Sequence, residues 1–485
     1  MSRKSSNIEH RTSSSPSGLP FSPNSKFLIP NSSHPHVHLI GIGGIGMSSL
    51  AQWFLAQKWL VSGSDSQKSV ITQDLVKRGI NVKIGHKKAH VSPRMGLIIR
   101  NQAIRRDNPE LDRAQELKIR VFSYPEAVGE LTRGYETIAV AGAHGKSTTS
   151  AILSLISAKA KLDPTVIVGT RLKEFGNSNF RAGKSKYLVL ESDEYGRAFL
   201  NYGPTWGIIT NIDREHLDIY KNLSDIKNTF LKYISGFRSG GGLVLNRDDA
   251  NLYSLKSHIL KIANRRNLKV IWYSLRDKEA DKIRRVIQIP GRHNLSNALG
   301  AHILATRLLK VSEKDSSAAI ESFRGTWRRM ELAGKYGGAQ VFDDYAHHPN
   351  EIMATLSAFR EKYPEKKIVC VFQPHLSDRL TKLFKEFQDA FDDADETLIL
   401  PIYKVEGREE NKKHHTAQEL ASAIQKKQPH KPLFYLAKPE NLYLALASFK
   451  PLNKRVIVMM GAGNISDLTQ KIIKTTPPSA IRKGY

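Results

Sequence analysis

Two glycine-rich turns constrain this chain more than any other feature. Val37-His38-Leu39-Ile40 runs into Gly41-Ile42-Gly43-Gly44-Ile45-Gly46, and Thr137–Val140 runs into Ala141-Gly142-Ala143-His144-Gly145-Lys146-Ser147-Thr148-Thr149. In both places a short apolar run enters the turn and helical spacing leaves it. Such a strand–turn–helix unit points backbone N–H groups and a helix N-terminus at an anion, and it belongs to parallel β–α–β structure. The remaining chain repeats the theme. Apolar runs at 98–100, 187–190, 207–210, 243–245, 270–273, 341–343, 397–400 and 456–460, and IVCVF before Gln373, alternate with helical spacing at 47–58, 147–160, 295–310, 350–362 and 377–391. The expected fold class is α/β with mostly parallel sheets.

A length of 485 residues fits about three domains. The expected division is 35–134, 135–324 and 325–485, the last opened by the basic Arg324–Arg329 segment. Residues 1–34 are Ser/Pro-rich and basic and lack periodicity, so a disordered tail is expected. No run reaches the ~18 apolar residues of a membrane-spanning helix, and no apolar signal segment precedes a cleavage site. The single cysteine, Cys370, excludes an intramolecular disulfide framework and a thiolate zinc cluster. A cytoplasmic protein without membrane insertion is expected.

The net charge of +28 invites an anionic partner. Its Lys and Arg residues are scattered, with no basic stripe interleaved with stacking aromatics, so nucleic acid is not expected. A nucleic-acid-stimulated ATPase is the distant alternative.

The two loops differ in chemistry. Gly41–Gly46 satisfies G-x-G-x-x-G, and Asp65 lies about 20 residues on, where an acidic residue meets a ribose. NAD is the default ligand for such a loop, and a UDP-type diphosphate suits the same physics. The second loop has Val140 where the full phosphate loop has its first glycine. It keeps amides for phosphates, Lys146 for the β/γ charge and the Ser147 hydroxyl for Mg²⁺, so ATP is expected.

Further polar groups follow apolar strands. Glu191, Asp193 and Glu194 follow YLVL, as metal-binding carboxylates or a solvated acidic turn. Asn211, Asp213, Glu215, His216 and Asp218 follow GIIT, where His216 binds metal or caps backbone. Asn294 and Asn297 open a helix, to meet an adenine edge or to cap. Arg328 and Arg329, then Asp343, Asp344, Tyr345, His347 and His348, and finally His375 and Arg379, complete the set.

In this order GIGGIGM, SGSD, AIRRDNPE, GAHGKSTT, ESDEYGRAFL, TNIDREHLDIY, GRHNLSNA, RRME, DDYAHHPNE, FQPHLSDR and GAGNI resemble the Mur ligase family, ATP-dependent amino-acid ligases of peptidoglycan precursor synthesis. The similarity is greatest to the branch that adds L-alanine to UDP-N-acetylmuramate. The branch that attaches murein tripeptide is the alternative.

The resemblance implies a Rossmann-like UDP-sugar domain, a central P-loop ATPase and a C-terminal Rossmann-like domain, working as a monomer or homodimer with ATP and Mg²⁺ or Mn²⁺. It implies UDP-sugar contacts from Gly41, Ile42, Gly43, Gly44, Ile45, Gly46, Asp65, Asn101, His375 and Arg379. ATP contacts would come from Gly142, Ala143, His144, Gly145, Lys146, Ser147, Thr148, Asn294, Asn297, Arg329 and Asp344. Ser147, Glu191 and His216 would hold metal, and Tyr345, His347 and His348 the amino acid. Lys146, Glu191, His216, His348 and Arg379 would be catalytic. Tyr403–Gly407 stands where the family has Y-x-A-G-E. Leu231 stands where other branches carry a carbamylated lysine, so no carbamate is expected.

Overall fold

The computed structural model describes residues 35–404 and 414–476, so the expected tail at 1–34 and residues 405–407 of the Tyr403–Gly407 segment lie outside it. Three sheets form from three consecutive stretches of chain.

The first holds β1 (His36–Ile40), β2 (Leu60–Asp65), β3 (Asn81–Ile84), β4 (Leu97–Arg100) and β5 (Arg120–Ser123), all parallel, in the order β3-β2-β1-β4-β5. The second holds β6 (Glu136–Ala141), β7 (Thr165–Leu172), β8 (Ser178–Arg181), β9 (Tyr187–Glu191), β10 (Trp206–Ile209), β11 (Gly242–Asn246) and β12 (Lys269–Tyr273). Its order is β12-β11-β10-β6-β9-β7-β8, with only β8 antiparallel to its neighbour. The third holds β13 (Glu331–Tyr336), β14 (Ala339–Asp344), β15 (Lys367–Phe372), β16 (Glu396–Ile399), β17 (Leu433–Tyr435) and β18 (Arg455–Met460), in the order β13-β14-β18-β15-β16-β17 with β13 antiparallel.

Central strands carry apolar residues at successive positions, such as Ile138–Ala141 and Val456–Met460, because helices cover both sheet faces. On β18, Val456, Val458 and Met460 pack into one core layer while Ile457 and Met459 pack into the other. The period-two alternation of side chains therefore fills two cores from one strand. The edge strands β3, β5 and β17 are short and at most half-buried, and β2, β3, β5, β7, β8, β13 and β17 are not among the apolar runs read from the sequence. One expected helix is divided. The 377–391 stretch becomes Ser377–Lys382 and Phe384–Gln388, because Leu383 leaves the helical region at φ −115° and ψ 22°.

Strand order places the loops. β1 lies beside β2 and β4, and β6 beside β10 and β9, so the chain leaves each in opposite directions and opens a crevice at the strand's carboxyl end. Both glycine-rich turns occupy such crevices.

Polar contacts join the sheets' surroundings. Gln52 donates to Asn179 Oδ1 at 3.0 Å, and Asn179 donates to the Ile45 carbonyl at 2.6 Å, between the first and second units. Arg214 pairs with Glu386 at 2.8 Å, and Lys382 donates to the Leu217 carbonyl at 2.8 Å, between the second and third.

Candidate active site

The loop after β6 is shaped by its neighbour β10. Gly142 has φ +134° and Gly145 φ +79°, conformations L side chains rarely adopt, and a Cβ on Gly145 would stand 2.3 Å from Asn297 Oδ1. His144 N–H donates to Asn211 Oδ1 at 2.8 Å, and the Thr210 hydroxyl donates to the His144 carbonyl at 2.7 Å. These buttresses turn the loop so that Lys146 and Ser147 open the helix Lys146–Lys159.

Lys146 Nζ donates to Glu194 Oε2 at 2.7 Å and lies 3.5 Å from Asp193 Oδ1. Burial alone would push the ammonium's pKa down, but Glu194 and Asp193 hold it above the usual lysine value. The Ser147 hydroxyl donates to Glu191 Oε1 at 2.9 Å, while Glu191 Oε2 accepts from Gly169 N–H at 2.7 Å. Burial raises the pKa of Glu191.

The expected metal set divides in two. Ser147 and Glu191 stand together. His216 stands instead with Asp193 and Glu194, the donor atoms of these three lying within 4.8 Å of one another. Glu194 Oε1 is buried without a hydrogen-bond partner. Hydroxyl and carboxylate oxygens suit a hard divalent cation such as Mg²⁺, so the donor set fits.

Two cavities meet at this loop. One, of about 440 Å³, is lined by Gly145, Ser147, Thr148, Asn294, Asn297, Arg329 and Asp344. Asn297 Nδ2 is buried without a partner and free to meet an acceptor. Asn294 Nδ2 donates to the Pro290 carbonyl at 2.7 Å, so part of its capacity is spent before the helix start, although the cap residue is Gly291 and neither asparagine caps the helix. Both Asp344 oxygens accept backbone N–H groups, from Met330 at 2.7 Å and Ala346 at 2.8 Å.

The second cavity, of about 680 Å³, spans all three units. It gathers Gly44, Ile45, Gly46 and Asn101 from the first, Lys146, Ser147, Glu191 and His216 from the second, and Arg329, Tyr345, His347, His375 and Arg379 from the third. Gly41, Ile42 and Gly43 do not line it. Asp65 Oδ2 accepts from Gly43 N–H at 2.8 Å, so its carboxylate braces the turn. Arg379 donates to Glu215 Oε1 at 2.5 Å and lies 3.2 Å from His375 Nδ1.

His348 is turned away from this cavity. It is buried, its Nδ1 accepts Asn350 N–H at 3.3 Å at the start of helix Pro349–Lys362, and its Nε2 lies 3.3 Å from the Arg214 carbonyl.

Sequence reasoning missed the network that ties the phosphate loop to the third unit. His144 Nε2 lies 2.8 Å from Asp213 Oδ2, and Nδ1 lies 3.4 Å from Glu351 Oε1. Burial favours the neutral ring, but the two carboxylates prevail and raise its pKa to about 10. Asn350 donates to the same Asp213 at 2.6 Å. The H-x-x-E spacing of a capping box could have flagged Glu351, although not its reach to His144.

Strained backbone gathers at the site. His216, Arg328, Met330 and Leu376 have φ of +55°, +55°, +49° and +68°. Such conformations persist where surroundings over-determine them. Arg328 is fixed by Asp343 at 3.2 Å and the Gly461 carbonyl at 2.6 Å.

Comparison with known proteins matches three family descriptions along the chain. They are "Mur ligase family, catalytic domain" over 36–136, "Mur ligase middle domain" over 140–305, and "Mur ligase, glutamate ligase domain" over 328–463. A UDP-N-acetylmuramate–L-alanine ligase of Clostridium botulinum is 41% identical over 391 residues, covering 76% of this chain and 83% of that one. Among solved structures, the UDP-N-acetylmuramate-alanine ligase of Thermotoga maritima superposes with a TM-score of 0.74 at 24% identity, over 91% of this chain and 99% of that chain. A murein peptide ligase of Psychrobacter arcticus gives 0.67 at 22%, over 92% and 99%.

Proposed function

The chain belongs to the Mur ligase family, and from that membership we propose that it joins L-alanine to the lactyl carboxylate of UDP-N-acetylmuramate at the expense of ATP. The observation that carries this reading is the placing of Lys146, Ser147 and Glu191 where a cavity bearing Asn294 and Asn297 meets one bearing Gly44–Gly46, His375 and Arg379. A nucleotide in the first would present its terminal phosphate to a carboxylate held in the second. The identity to the C. botulinum alanine ligase favours this branch over the tripeptide branch.

The roles we assign follow from the geometry. Asn297 Nδ2 meets the adenine, and Arg329 lies on the phosphate side. Lys146 leaves Glu194 and Asp193 to neutralise the γ-phosphoryl group as the loop amides hold its oxygens. Ser147 and Glu191, with His216, Asp193 and Glu194 opposite, would hold Mg²⁺, which when bound screens charge between carboxylate and phosphate.

The lactyl carboxylate attacks the phosphorus, and ADP leaves an acyl phosphate. The amine of L-alanine then attacks the acyl carbon and phosphate departs. Arg379 and His375 steady the acyl end, and Tyr345 and His347 line the amino-acid side. His348 contributes by fixing the start of its helix against the Arg214 backbone.

We take the domain limits as 35–134, 135–324 and 325–485, a division supported by the three separate sheets. A cytoplasmic monomer or homodimer is proposed; among the described residues no helix is long and apolar enough to cross a membrane. The test is ADP release by purified protein given ATP, Mg²⁺, UDP-N-acetylmuramate and either L-alanine or murein tripeptide. Turnover with alanine is expected. Turnover with tripeptide alone would overturn the assignment.

A further inference from the structure

One imidazole in the larger cavity has its proton fixed by its neighbours. His347 Nδ1 lies 2.9 Å from the Tyr345 carbonyl oxygen and 3.3 Å from Glu351 Oε2. Both are acceptors, so Nδ1 carries the hydrogen and Nε2 the lone pair. The ring lines the cavity together with Glu215, His375 and Arg379, its centroid 6.0 Å from that of His375. Burial pushes its pKa down to about 4, against the Glu351 carboxylate, and Arg379 adds to the lowering while Glu215 opposes it. The ring is therefore neutral near pH 7. Phosphate bound beside it adds negative charge that favours a proton on Nε2.

The second reactant enters this cavity as an ammonium ion, which has no lone pair with which to attack carbon. We propose that His347 Nε2 accepts the proton of the incoming amino acid's α-ammonium group, an inference that rests on the ligase reading above. One N–H bond breaks and its electron pair stays on nitrogen, the proton passing to Nε2. That pair forms the C–N bond to the acyl carbon. The carbon–oxygen bond to phosphate breaks, and the second amine proton leaves with it as hydrogen phosphate. The imidazolium returns its proton to water once product departs. Glu215, whose Oε2 is buried without a hydrogen-bond partner, supplies the anion beside which the ammonium sits.

Hydroxylamine is neutral at neutral pH and captures acyl phosphates without a base, so it separates proton transfer from architecture. In His347→Gln, alanine ligation is expected to fall about 10²–10⁴-fold and to recover as pH rises through the ionisation of the amine. Hydroxamate formation in the same variant should proceed near the wild-type rate. His347→Asn, which keeps a donor near the Nδ1 position, should behave alike.

Equal losses with both nucleophiles would make His347 structural and overturn the proposal, as would undiminished alanine ligation in both variants. Wild-type protein that ligates neither alanine nor tripeptide refutes the ligase reading, and the base with it. That failure shows in the wild type, whereas failure of the base alone shows only in the variants.

Discussion

Replacing His144 by Gln removes the cation between two half-buried carboxylates. A ring raised from 6.5 to about 10 prefers its charged form by about 5 kcal/mol. Because the folded-state pKa is the higher one, this stability is fully present below pH 6.5 and is lost as pH climbs through 10. Between pH 7 and 10 it should decline by ~1.4 kcal/mol per unit.

At pH 7 the variant leaves Asp213 and Glu351 without their shared partner, a loss below the ~3–5 kcal/mol of a fully buried pair because all three groups are only half-buried. Two contacts remain and pull the figure lower still. Arg329 lies 3.5 Å from Glu351 and Asn350 donates to Asp213. Urea midpoints of wild type and His144→Gln, measured at pH 7 and again near pH 10, should differ strongly at the lower pH and converge at the higher. Comparing the two proteins at each pH cancels the titration of every other group. A gap that persists unchanged near pH 10, or a His144 ring that titrates near 6.5 by NMR, would refute the reasoning.

Three further outcomes are expected. Gly145→Ala places a methyl group 2.3 Å from Asn297 Oδ1 at φ +79°, with conformational strain of ~1–2 kcal/mol; calorimetry should show ATP affinity falling at least about tenfold while UDP-sugar binding persists. Arg455→Met strands Glu396, which accepts from it at 2.8 and 2.5 Å in the core, and should cost about 3–5 kcal/mol in urea unfolding, with Arg455→Met/Glu396→Leu recovering much of it. Cys370 is fully buried and burial pushes its thiol pKa up, so a thiol reagent should label it only after unfolding.

The α/β class and the two glycine-rich strand–turn–helix units were legible because they are local. Glycines at 41–46 and at 142 and 145, an apolar run before and helical spacing after, already state a strand–turn–helix unit. So were Lys146 and Ser147, which open the helix after the glycine-rich turn, and Glu191, the last residue of its strand. Short edge strands such as Leu433–Tyr435 were not, because they are only partly buried and carry no apolar period. Nor was the break at Leu383, where apolar spacing continues across a helix end.

The sequence by itself determined which polar residue types follow each strand and in which order the chain delivers them. Tertiary structure decided which of those residues meet. It set His216 with Asp193 and Glu194 while Glu191 stayed with Ser147, and turned His348 into an interdomain prop. It also brought His144 between carboxylates from two units and gave His347 a single tautomer. Most of these outcomes depend on distances between separate loops, from Ser147 and Glu191, 44 residues apart, to Arg214 and His348, 134 apart, set by sheet order and domain packing. No periodicity along the chain encodes them, since periodicity reports which face a side chain takes and not what lies across from it.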